Sequence, residues 1–464
     1  MSLHQFRPRR WLPCPLALLI AVVALASTAS AEWNEKVLYS FQGIPDGAVP
    51  AGGVVFDKAG NLYGATGDGG ASTCAGPGQC GTVYQLKPPV QKGGVWTETV
   101  LYIFKGHAQN DGATPEGGLV IDQAGNLYGV TGYGGSGPCL LLGGEVGCGA
   151  VYELSPPAKQ GDPWKEKVLY SFQGGKDGFV ASGDLVFDRA GNLYGATLFG
   201  GGKGTTCDSL YGGQCGTVFK LSPPKTKNGK WTEKVLHSFA GGTDGAIPNG
   251  GLVFDSSGTI YGTTPAGGNE ECKGSSGLGC GTAFQLNPPK RAGGPWTERI
   301  LHRFTGGNDG AGPNGGLIFG ANGLIYGSGG GGGSGNGFGV VFRLTQAKSG
   351  RWSETVLYSF QGGADGRDPA APVTLDSFGN LYGTTNAEGT YFGGTFFQLK
   401  PPVGNAHKWS FAVLYSFTGP PDAEFPASRL IFGKGGGLFS TTQNGGTGQG
   451  CQGGCGTVFK VWPI

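Results

Sequence analysis

The sequence predicts an all-β fold in which seven four-stranded antiparallel sheets close into a ring, a seven-bladed β-propeller. Three observations predict it. One unit repeats along the chain, each unit contains four short apolar runs, and the chain begins and ends at different points of the unit. A single small sheet cannot bury both of its faces, so repeats of this kind pack their sheets radially against one another.

Each repeat opens with a tryptophan, and these tryptophans recur about every 60 residues. They are Trp33, Trp96, Trp164, Trp231, Trp296, Trp352 and Trp409. The fourth unit shows the four runs as WTEKVLHSF (231–239), GGLVFD (250–255), TIYGTT (259–264) and GTAFQL (281–286). These runs are rich in β-branched and aromatic residues and are bounded by Gly, Pro, Asn and Asp, which is typical of strands joined by tight turns.

The phase of the repeat predicts how the ring closes. We expect the GGLVFD run to be the innermost strand and the Trp-x-Glu run the outermost. The chain starts with an outer run at 33–41, and its last unit, from about residue 427, ends with a third run at 456–461. Residues 33–41 are therefore predicted to complete the last blade. A solenoid is the alternative, but it would not need this split phase.

The N-terminus predicts a signal peptide at residues 1–31, followed by one repeat domain at 32–464. Arg7, Arg9 and Arg10 precede an apolar run, and Ala29-Ser30-Ala31 fits a cleavage site. The 33 Lys and Arg nearly balance the 31 Asp and Glu, which gives no electrostatic footprint for nucleic acid or an anionic membrane. We expect a secreted, extracellular protein without membrane insertion, and retention at the cell surface or in the periplasm stays open.

Ten of the 11 cysteines fall into five local pairs, and the remaining one, Cys14, lies in the predicted signal peptide. The pairs are Cys74/Cys80, Cys139/Cys148, Cys207/Cys215, Cys272/Cys280 and Cys451/Cys455. The second cysteine of each pair directly precedes the fourth run, and units five and six lack both members. Because the two cysteines of a unit are either both present or both absent, we predict that they form a disulfide in an oxidising compartment. A metal site is the alternative, but no unit offers four ligands.

Several motifs resemble a known family. GGCGTVF (453–459), GGQCGTVF (212–219), GNLYGTT (379–385) and VLYSFQGG (356–363) resemble bacterial secreted proteins with a glycine-rich SGCGT repeat, also called choice-of-anchor tandem repeat GloVer-containing proteins. The resemblance covers nearly all of 33–464 and implies an exported surface or extracellular protein, often with a C-terminal sorting signal. It brings no catalytic or ligand residues. This chain stops directly after its last run, so we expect free secretion.

An aspartate precedes each inner run and is predicted to lie on the same face as the cysteine loops. The seven are Asp46, Asp111, Asp177, Asp244, Asp309, Asp365 and Asp422. Gathered at one channel mouth, they can bind Ca²⁺ or a hydroxyl-rich ligand. The alternative is that each aspartate caps its own turn beside a flexible glycine. Apart from this calcium, the sequence predicts no cofactor and no metal.

One position breaks the symmetry of the inner strands. It is glycine in four units, at Gly53, Gly118, Gly251 and Gly316, and Asp184, Pro372 and Arg429 in the others. Because inner strands line the channel, we hypothesise that Asp184 and Arg429 project toward its mouth and mark a polar site. Ordinary drift within a degenerate repeat is the alternative.

Other polar residues of the repeat predict structural roles. The glutamate of Trp-x-Glu recurs once per blade on an outer strand and is replaced by Phe411 in the last unit. His237 and His302 occupy a position that is tyrosine in other units, so they are interpreted as aromatic substitutes. Nucleophilic catalysis finds no support, since no Gly-x-Ser-x-Gly arrangement with triad partners is present.

Three functions remain open at this point. The first is a recognition module that binds an extracellular carbohydrate or protein through the cysteine-loop face, where Tyr133, Tyr211 and Tyr391 can stack on sugars. The second is a polysaccharide-cleaving enzyme with its site at the channel. It requires acidic residues from different blades, close together and in unequal environments. The third is a structural envelope or matrix protein. Binding is favoured over catalysis.

Overall fold

The computed structural model describes residues 33–464 except 72–73, 75–79, 92, 142–143, 160, 203–206, 208–213, 228, 270, 273–277 and 292. The predicted signal peptide at 1–31 and the predicted start of the domain at residue 32 lie outside the described residues. Within this part of the chain, no helix is both long and apolar enough to cross a membrane.

The described residues form seven four-stranded antiparallel sheets, numbered here as blades 1 to 7 from the N-terminus. From the inner to the outer strand, blade 1 contains Ala48–Phe56, Leu62–Asp68, Thr82–Lys87 and Thr97–Ile103. Blade 2 contains an inner strand in two pieces, Gly112–Pro115 and Val120–Ile121, then Leu127–Gly134, Ala150–Ser155 and Lys165–Ser171. Blade 3 contains Phe179–Phe187, Leu193–Phe199, Thr217–Ser222 and Thr232–Ser238.

The later blades repeat this pattern with shorter inner strands. Blade 4 contains Val253–Phe254, Ile260–Thr264, Thr282–Asn287 and Thr297–Arg303. Blade 5 contains Leu317–Phe319, Ile325–Gly329, Val340–Gln346 and Trp352–Ser359. Blade 6 contains Thr374–Leu375, Leu381–Thr385, Thr395–Lys400 and Ser410–Ser416. Blade 7 contains Ile431–Phe432, Leu438–Thr442, Thr457–Pro463 and Trp33–Ser40.

Smaller elements lie in the connections between these strands. Leu140–Leu141 pairs with Gly144–Glu145, and Ala423–Glu424 pairs with Asn444–Gly445. Short 3₁₀ turns occupy His107–Gln109, Ala321–Gly323 and Gly363–Asp365.

The predicted closure of the ring is confirmed. Trp33–Ser40 pairs antiparallel with Thr457–Pro463, and Val37 lies opposite Phe459. Leu38 belongs to one buried cluster with Leu62 of blade 1, so the closing strand also joins blade 7 to blade 1. This junction excludes the solenoid, which would leave the first and last repeats apart.

In blades 1, 2, 4 and 5 the inner run contains a glycine pair, and strand pairing is interrupted there or begins only beyond it. In blade 1 the pairing of the inner strand shifts between Ala51 and Val55, around Gly52, whose φ is +61°. A side chain at Gly52 would begin 2.0 Å from the backbone nitrogen of Gly118 in blade 2. Only glycine permits this conformation together with so close an approach of two inner strands.

The core lies between neighbouring blades and contains the same aromatic pair at every junction. The phenylalanine that follows each outer strand packs edge-to-face on an aromatic residue of the third strand of the next blade, with centroids 4.9–5.2 Å apart. The pairs are Phe41–Tyr84, Phe104–Tyr152, Phe172–Phe219, Phe239–Phe284, Phe304–Phe342, Phe360–Phe397 and Phe417–Phe459. All 14 side chains are at most 1% exposed. Burial of such rings dominates core energetics, and their edge-to-face geometry adds about 0.5–1.5 kcal/mol per pair.

The five predicted disulfides are formed, each in the connection between the second and third strands of its blade. They join cysteines four to nine residues apart: Cys74–Cys80, Cys139–Cys148, Cys207–Cys215, Cys272–Cys280 and Cys451–Cys455. In the chain-entropy model, each disulfide that closes a loop of this length stabilises the folded state by about 2–3 kcal/mol. The disulfides therefore fix glycine-rich segments that have few apolar side chains of their own.

Ring closure predicts that Leu38 contributes as much stability as its counterpart in the middle of the chain. Leu38 and Leu236 are 7% and 8% exposed at equivalent positions. Substituting either by alanine should lower the free energy of unfolding by about 2–5 kcal/mol, because each leaves a cavity at a blade junction. Urea unfolding of Leu38→Ala and Leu236→Ala measures both losses. A much smaller loss for Leu38→Ala would show that the ring is open in solution.

Candidate functional site

The inner strands surround a central channel that contains two cavities. One, of about 660 Å³, is lined by the ends of the inner strands and is largely apolar, with Val55, Phe56 and Phe254 in its wall. The other, of about 520 Å³, is lined by the starts of the inner strands from all seven blades. It opens at the end of the propeller where the second and third strands connect. We call this end the loop face, because it carries the disulfides.

Asp184 and Arg429 come from blades 3 and 7 and meet in the channel. Arg429 Nη2 lies 3.9 Å from Asp184 Oδ2, and both residues line both cavities. Asp184 Oδ1 accepts a 2.8 Å hydrogen bond from the Gly118 N–H of blade 2. The pair thus lies at the boundary between the two cavities rather than at the outer mouth. Its predicted role in ligand binding stays a prediction.

The glycines at the same position of other blades leave room for this ion pair. A Cβ at Gly118 would lie 2.7 Å from Asp184 Oδ1, and one at Gly53 would lie 2.9 Å from the Arg429 carbonyl oxygen. One at Gly251 would lie 3.4–3.6 Å from both charged side chains. Two large residues therefore fit into the channel because their neighbours have no side chain.

The polar character of the channel mouth comes from a position that sequence reasoning missed. The residue before the Gly-Gly step is polar in blades 2 to 5 and alanine in the others, and all seven line the mouth cavity. The polar members are Glu116, Ser182, Asn249 and Asn314. The ends of the second strands add Asp68, Asn386 and Gln443. The signal was available, because this position also varies between units and lies two residues before the position of Asp184 and Arg429.

Two carboxyl groups from different blades meet at this mouth. Glu116 belongs to blade 2 and Asp68 to blade 1. Burial, with a smaller contribution from the charge of Asp68, raises the pKa of Glu116 to about 7. Glu116 can therefore hold a proton near neutral pH, so it can act as a hydrogen-bond donor as well as an acceptor.

The mouth cavity adjoins a third cavity on the loop face. This one, of about 920 Å³, lies among blades 4, 5 and 6, with the Cys272–Cys280 disulfide, Arg367 and Asp368 in its wall. Asn314 and Asn386 line both cavities. We call the two adjoining cavities the mouth groove. Asn386 Oδ1 is buried and accepts no hydrogen bond within the described part of the chain, so an acceptor is available where the cavities join.

The seven aspartates predicted for the channel mouth lie elsewhere. Asp46 Oδ2 accepts hydrogen bonds from the Tyr39 hydroxyl (3.1 Å) and the Gln42 N–H (2.8 Å), which fastens the turn after an outer strand. The equivalent bonds recur for Asp111, Asp177, Asp244, Asp309, Asp365 and Asp422. Each aspartate is held beside an outer strand at a blade junction, so the seven form no shared carboxylate ring. The turn-capping alternative describes their observed contacts.

The Trp-x-Glu glutamates lie at the same junctions as these aspartates. Each reaches the aspartate of the preceding connection, as Glu98 does with Asp46, and burial together with that neighbour's charge raises its pKa. The pKa rises to about 9 at Glu35, about 8 at Glu166, and about 7 at Glu98, Glu233 and Glu354. The blade 5–6 junction has Phe411 instead, and its ring stacks on Tyr358 with centroids 3.8 Å apart. These contacts support the predicted structural role.

The histidines and tyrosines that the sequence analysis singled out differ in their surroundings. His302 replaces a tyrosine, as interpreted from the sequence, and its Nε2 lies 3.0 Å from Asp309 Oδ2. Tyr391 is 58% exposed on the loop face, whereas Tyr133 is partly buried. Tyr211 lies outside the described residues.

The fold and this site define a class: a disulfide-bonded seven-bladed β-propeller with a polar groove at one end of its channel. The chain belongs to the Gloeobacter/Verrucomicrobia repeat family, whose model matches residues 24–206, 139–349 and 202–459. This confirms the resemblance found in the sequence. No curated protein sequence matches the chain.

Two solved structures are similar over most of the chain. One is the PQQ-bound form of an aldose sugar dehydrogenase from Streptomyces coelicolor, with 14% identity, a TM-score of 0.40, and coverage of 93% of this chain and 98% of that chain. The other is a putative oxidoreductase (glucose dehydrogenase) from Thermus thermophilus, with 16% identity, a TM-score of 0.39, and coverage of 75% of this chain and 96% of that chain. Similarity this low carries no argument about the activity of this chain.

The buried glutamates predict that stability falls as the pH rises. The folded protein keeps these carboxyls protonated up to about pH 7–9, whereas the unfolded chain releases the protons near the ordinary glutamate pKa of 4.5. Their contribution is fully present below the unfolded pKa and is lost as the pH rises through the folded pKa. The melting temperature should therefore decrease between about pH 4.5 and pH 9, with the contribution of Glu98 lost between about pH 4.5 and pH 7.

Glu98→Gln tests whether a buried glutamate causes this decrease in melting temperature, because the glutamine amide stays neutral at every pH. Thermal unfolding followed by circular dichroism should show a shallower decrease for Glu98→Gln than for the wild type. Glu271→Gln, at an exposed position, serves as the control and should leave the decrease unchanged. An identical pH dependence in all three proteins would contradict the assignment.

Proposed function

We propose that this protein is an extracellular recognition module that binds an oligosaccharide in the mouth groove. The observation that carries the proposal is that two polar cavities adjoin at Asn314 and Asn386, which line both. Together they extend from the channel mouth across blades 4 to 6.

The chemistry of the groove favours a neutral ligand rich in hydroxyl groups. Its wall offers the side-chain amides of Asn249, Asn314, Asn386 and Gln443. An amide both donates and accepts hydrogen bonds, as a sugar hydroxyl does. The strongest charges of the channel, Asp184 and Arg429, lie near each other and offset one another. Binding pockets of this kind use a few polar groups to fix ligand orientation.

Exposed aromatic residues on the loop face support a sugar ligand. Tyr391 and Phe392 are 58% and 75% exposed and lie on the same connection of blade 6 as Asn386. Large aromatic side chains left in solvent beside a polar groove favour an interaction site, because burying them on a ligand is energetically favourable. The apolar face of a sugar ring provides such a partner.

An extracellular location is part of this proposal. Residues 1–31 predict export, and the five disulfides fit an oxidising environment outside the cytoplasm. The partner is accordingly an extracellular carbohydrate rather than a nucleic acid or a membrane.

A glycan array probed with the purified protein tests the proposal. We expect saturable binding to at least one oligosaccharide and a loss of about tenfold or more in affinity for Asn314→Ala, which removes a polar contact in the groove. Tyr391→Ala should weaken binding several-fold. Phe378→Ala is the matched control, because Phe378 is 84% exposed on the same blade but lies in the turn between its first and second strands, on the opposite face.

Two results would overturn the oligosaccharide proposal. One is an array without binding, which would favour the structural envelope or matrix protein. The other is equal weakening by Tyr391→Ala and Phe378→Ala. Repeating the array with and without Ca²⁺ tests separately whether binding depends on calcium.

A polysaccharide-cleaving enzyme is the second candidate function, and Glu116 with Asp68 favours it. These carboxyls come from neighbouring blades, and the raised pKa of Glu116 fits a proton donor. The sequence-based enzyme hypothesis requires acidic residues from different blades that lie close together.

Release of reducing ends from a panel of polysaccharides measures this activity. If the chain cleaves glycosides, Glu116→Gln should lower the rate at least 10²-fold, the usual contribution of a general acid, while oligosaccharide binding is retained. Absence of product with the wild-type protein, or full activity of Glu116→Gln, would exclude this candidate.

A further inference from the structure

The blade 3–4 junction differs from the other six in its side-chain contacts. His237 ends the outer strand of blade 3, Asp244 lies in the connection to blade 4, and Glu298 lies on the outer strand of blade 4. Nitrogen and carboxylate oxygens of these three residues lie within 4.8 Å of one another, the one such group found among the described residues. We propose that His237, Asp244 and Glu298 form a site for a divalent transition metal ion, with Zn²⁺ as the best fit.

The distances within the group fit metal ligation better than hydrogen bonding. His237 Nε2 lies 3.5 Å from Asp244 Oδ1 and 3.7 Å from Glu298 Oε1. Ligands bound to zinc at 2.0–2.2 Å in tetrahedral geometry are separated by about 3.3–3.6 Å. His237 Nε2 and Glu298 Oε1 are both buried and have no hydrogen-bond partner within the described chain. Two potential ligand atoms are therefore unsatisfied and lie near each other.

The neighbouring junction has the same residue types in a different arrangement. His302, Asp309 and Glu354 are the equivalents in blades 4 and 5. There, His302 Nε2 lies 3.0 Å from Asp309 Oδ2, and the Thr305 hydroxyl bonds to Asp309 Oδ1. Both oxygens of Asp309 are thus occupied by protein groups, which leaves no free ligand set.

A single residue explains the difference between the two junctions. The position of Thr305 is Ala240 at the blade 3–4 junction, and Ala240 contributes only its backbone N–H, at 2.7 Å from Asp244 Oδ2. No hydroxyl competes for Asp244 Oδ1, so this oxygen faces the imidazole. The alanine therefore leaves one carboxylate oxygen available for a cation.

The charge of the site also fits a divalent cation. A neutral imidazole with two carboxylates balances a 2+ ion, and Ca²⁺ would require six to eight oxygen ligands instead. Carboxylates bind a metal ion in their deprotonated form, so any proton on the site is released on binding.

Three protein ligands leave one position of a four-coordinate site open. The three side chains are 15–21% exposed, so the group lies near the surface of the ring. Because the ligands come from the outer strands of blades 3 and 4 and the connection between them, a bound ion would fasten these two blades together. We expect the metal to raise the melting temperature, since it binds the folded state alone.

Zinc titration of the purified protein, prepared without a histidine tag, tests the site. Isothermal calorimetry should show one high-affinity Zn²⁺ site per chain. The measured heat should depend on the buffer, because the buffer takes up the protons that are released. His237→Tyr should weaken binding at least 100-fold and should fold normally, because tyrosine occupies this position at five of the seven junctions. His302→Tyr is the matched control and should bind one Zn²⁺ with unchanged affinity.

Ala240→Thr keeps all three ligands and is the sharper variant. It should reproduce the arrangement of the blade 4–5 junction and weaken zinc binding at least tenfold. Co²⁺ titration should give the visible absorption of a four-coordinate nitrogen–oxygen site in the wild type and His302→Tyr only. Wild-type protein without saturable zinc binding, or His237→Tyr with wild-type affinity, would refute the proposal. Loss of binding in His302→Tyr would place the metal elsewhere and overturn it as well.

Discussion

An edge-to-face contact between two aromatic rings is repeated at all seven blade junctions and underlies the rest of the structure. In each pair the ring that follows one outer strand inserts against the third strand of the next blade, and both rings are excluded from water. The pair fixes the spacing and angle between neighbouring sheets. All seven pairs have nearly the same centroid distance, so neighbouring blades pack alike around the ring. The closing pair, Phe41 with Tyr84, shows that the junction made by the first strand is equivalent to the other six.

The polar groups around each aromatic pair are as regular as the rings. A tyrosine or histidine, an aspartate and usually a glutamate lie at every junction, and they fasten the outer strand to the following turn. Such groups are costly to bury as charges, so the glutamates hold protons near neutral pH. Regular residues of this kind maintain the fold. Specific chemistry is therefore expected where one blade departs from the others.

The residues that differ from their counterparts in the other blades lie at two separate places on the molecule. Asp184, Arg429, Glu116 and the groove amides differ between blades at the channel, and they support oligosaccharide recognition. His237 differs at the rim, where Ala240 leaves a carboxylate oxygen free, and it supports a metal site. The residues that carry one proposal have no part in the other. Failure of either proposal leaves the other intact.

The sequence by itself determined the fold class, the number of blades, the closure by residues 33–40 and all five disulfides. These are encoded in local patterns that repeat: turn residues, alternating apolar positions and paired cysteines. It misplaced the seven aspartates, because their distance along the chain from an inner strand does not show that a tyrosine or histidine seven to nine residues earlier lies beside each of them at the outer strand. Only the tertiary structure brought Asp184 to Arg429, joined the cavities at Asn314 and Asn386, and set His237 against Glu298. Each of these contacts joins different blades, and their relative placement comes from packing around the ring rather than from any local pattern.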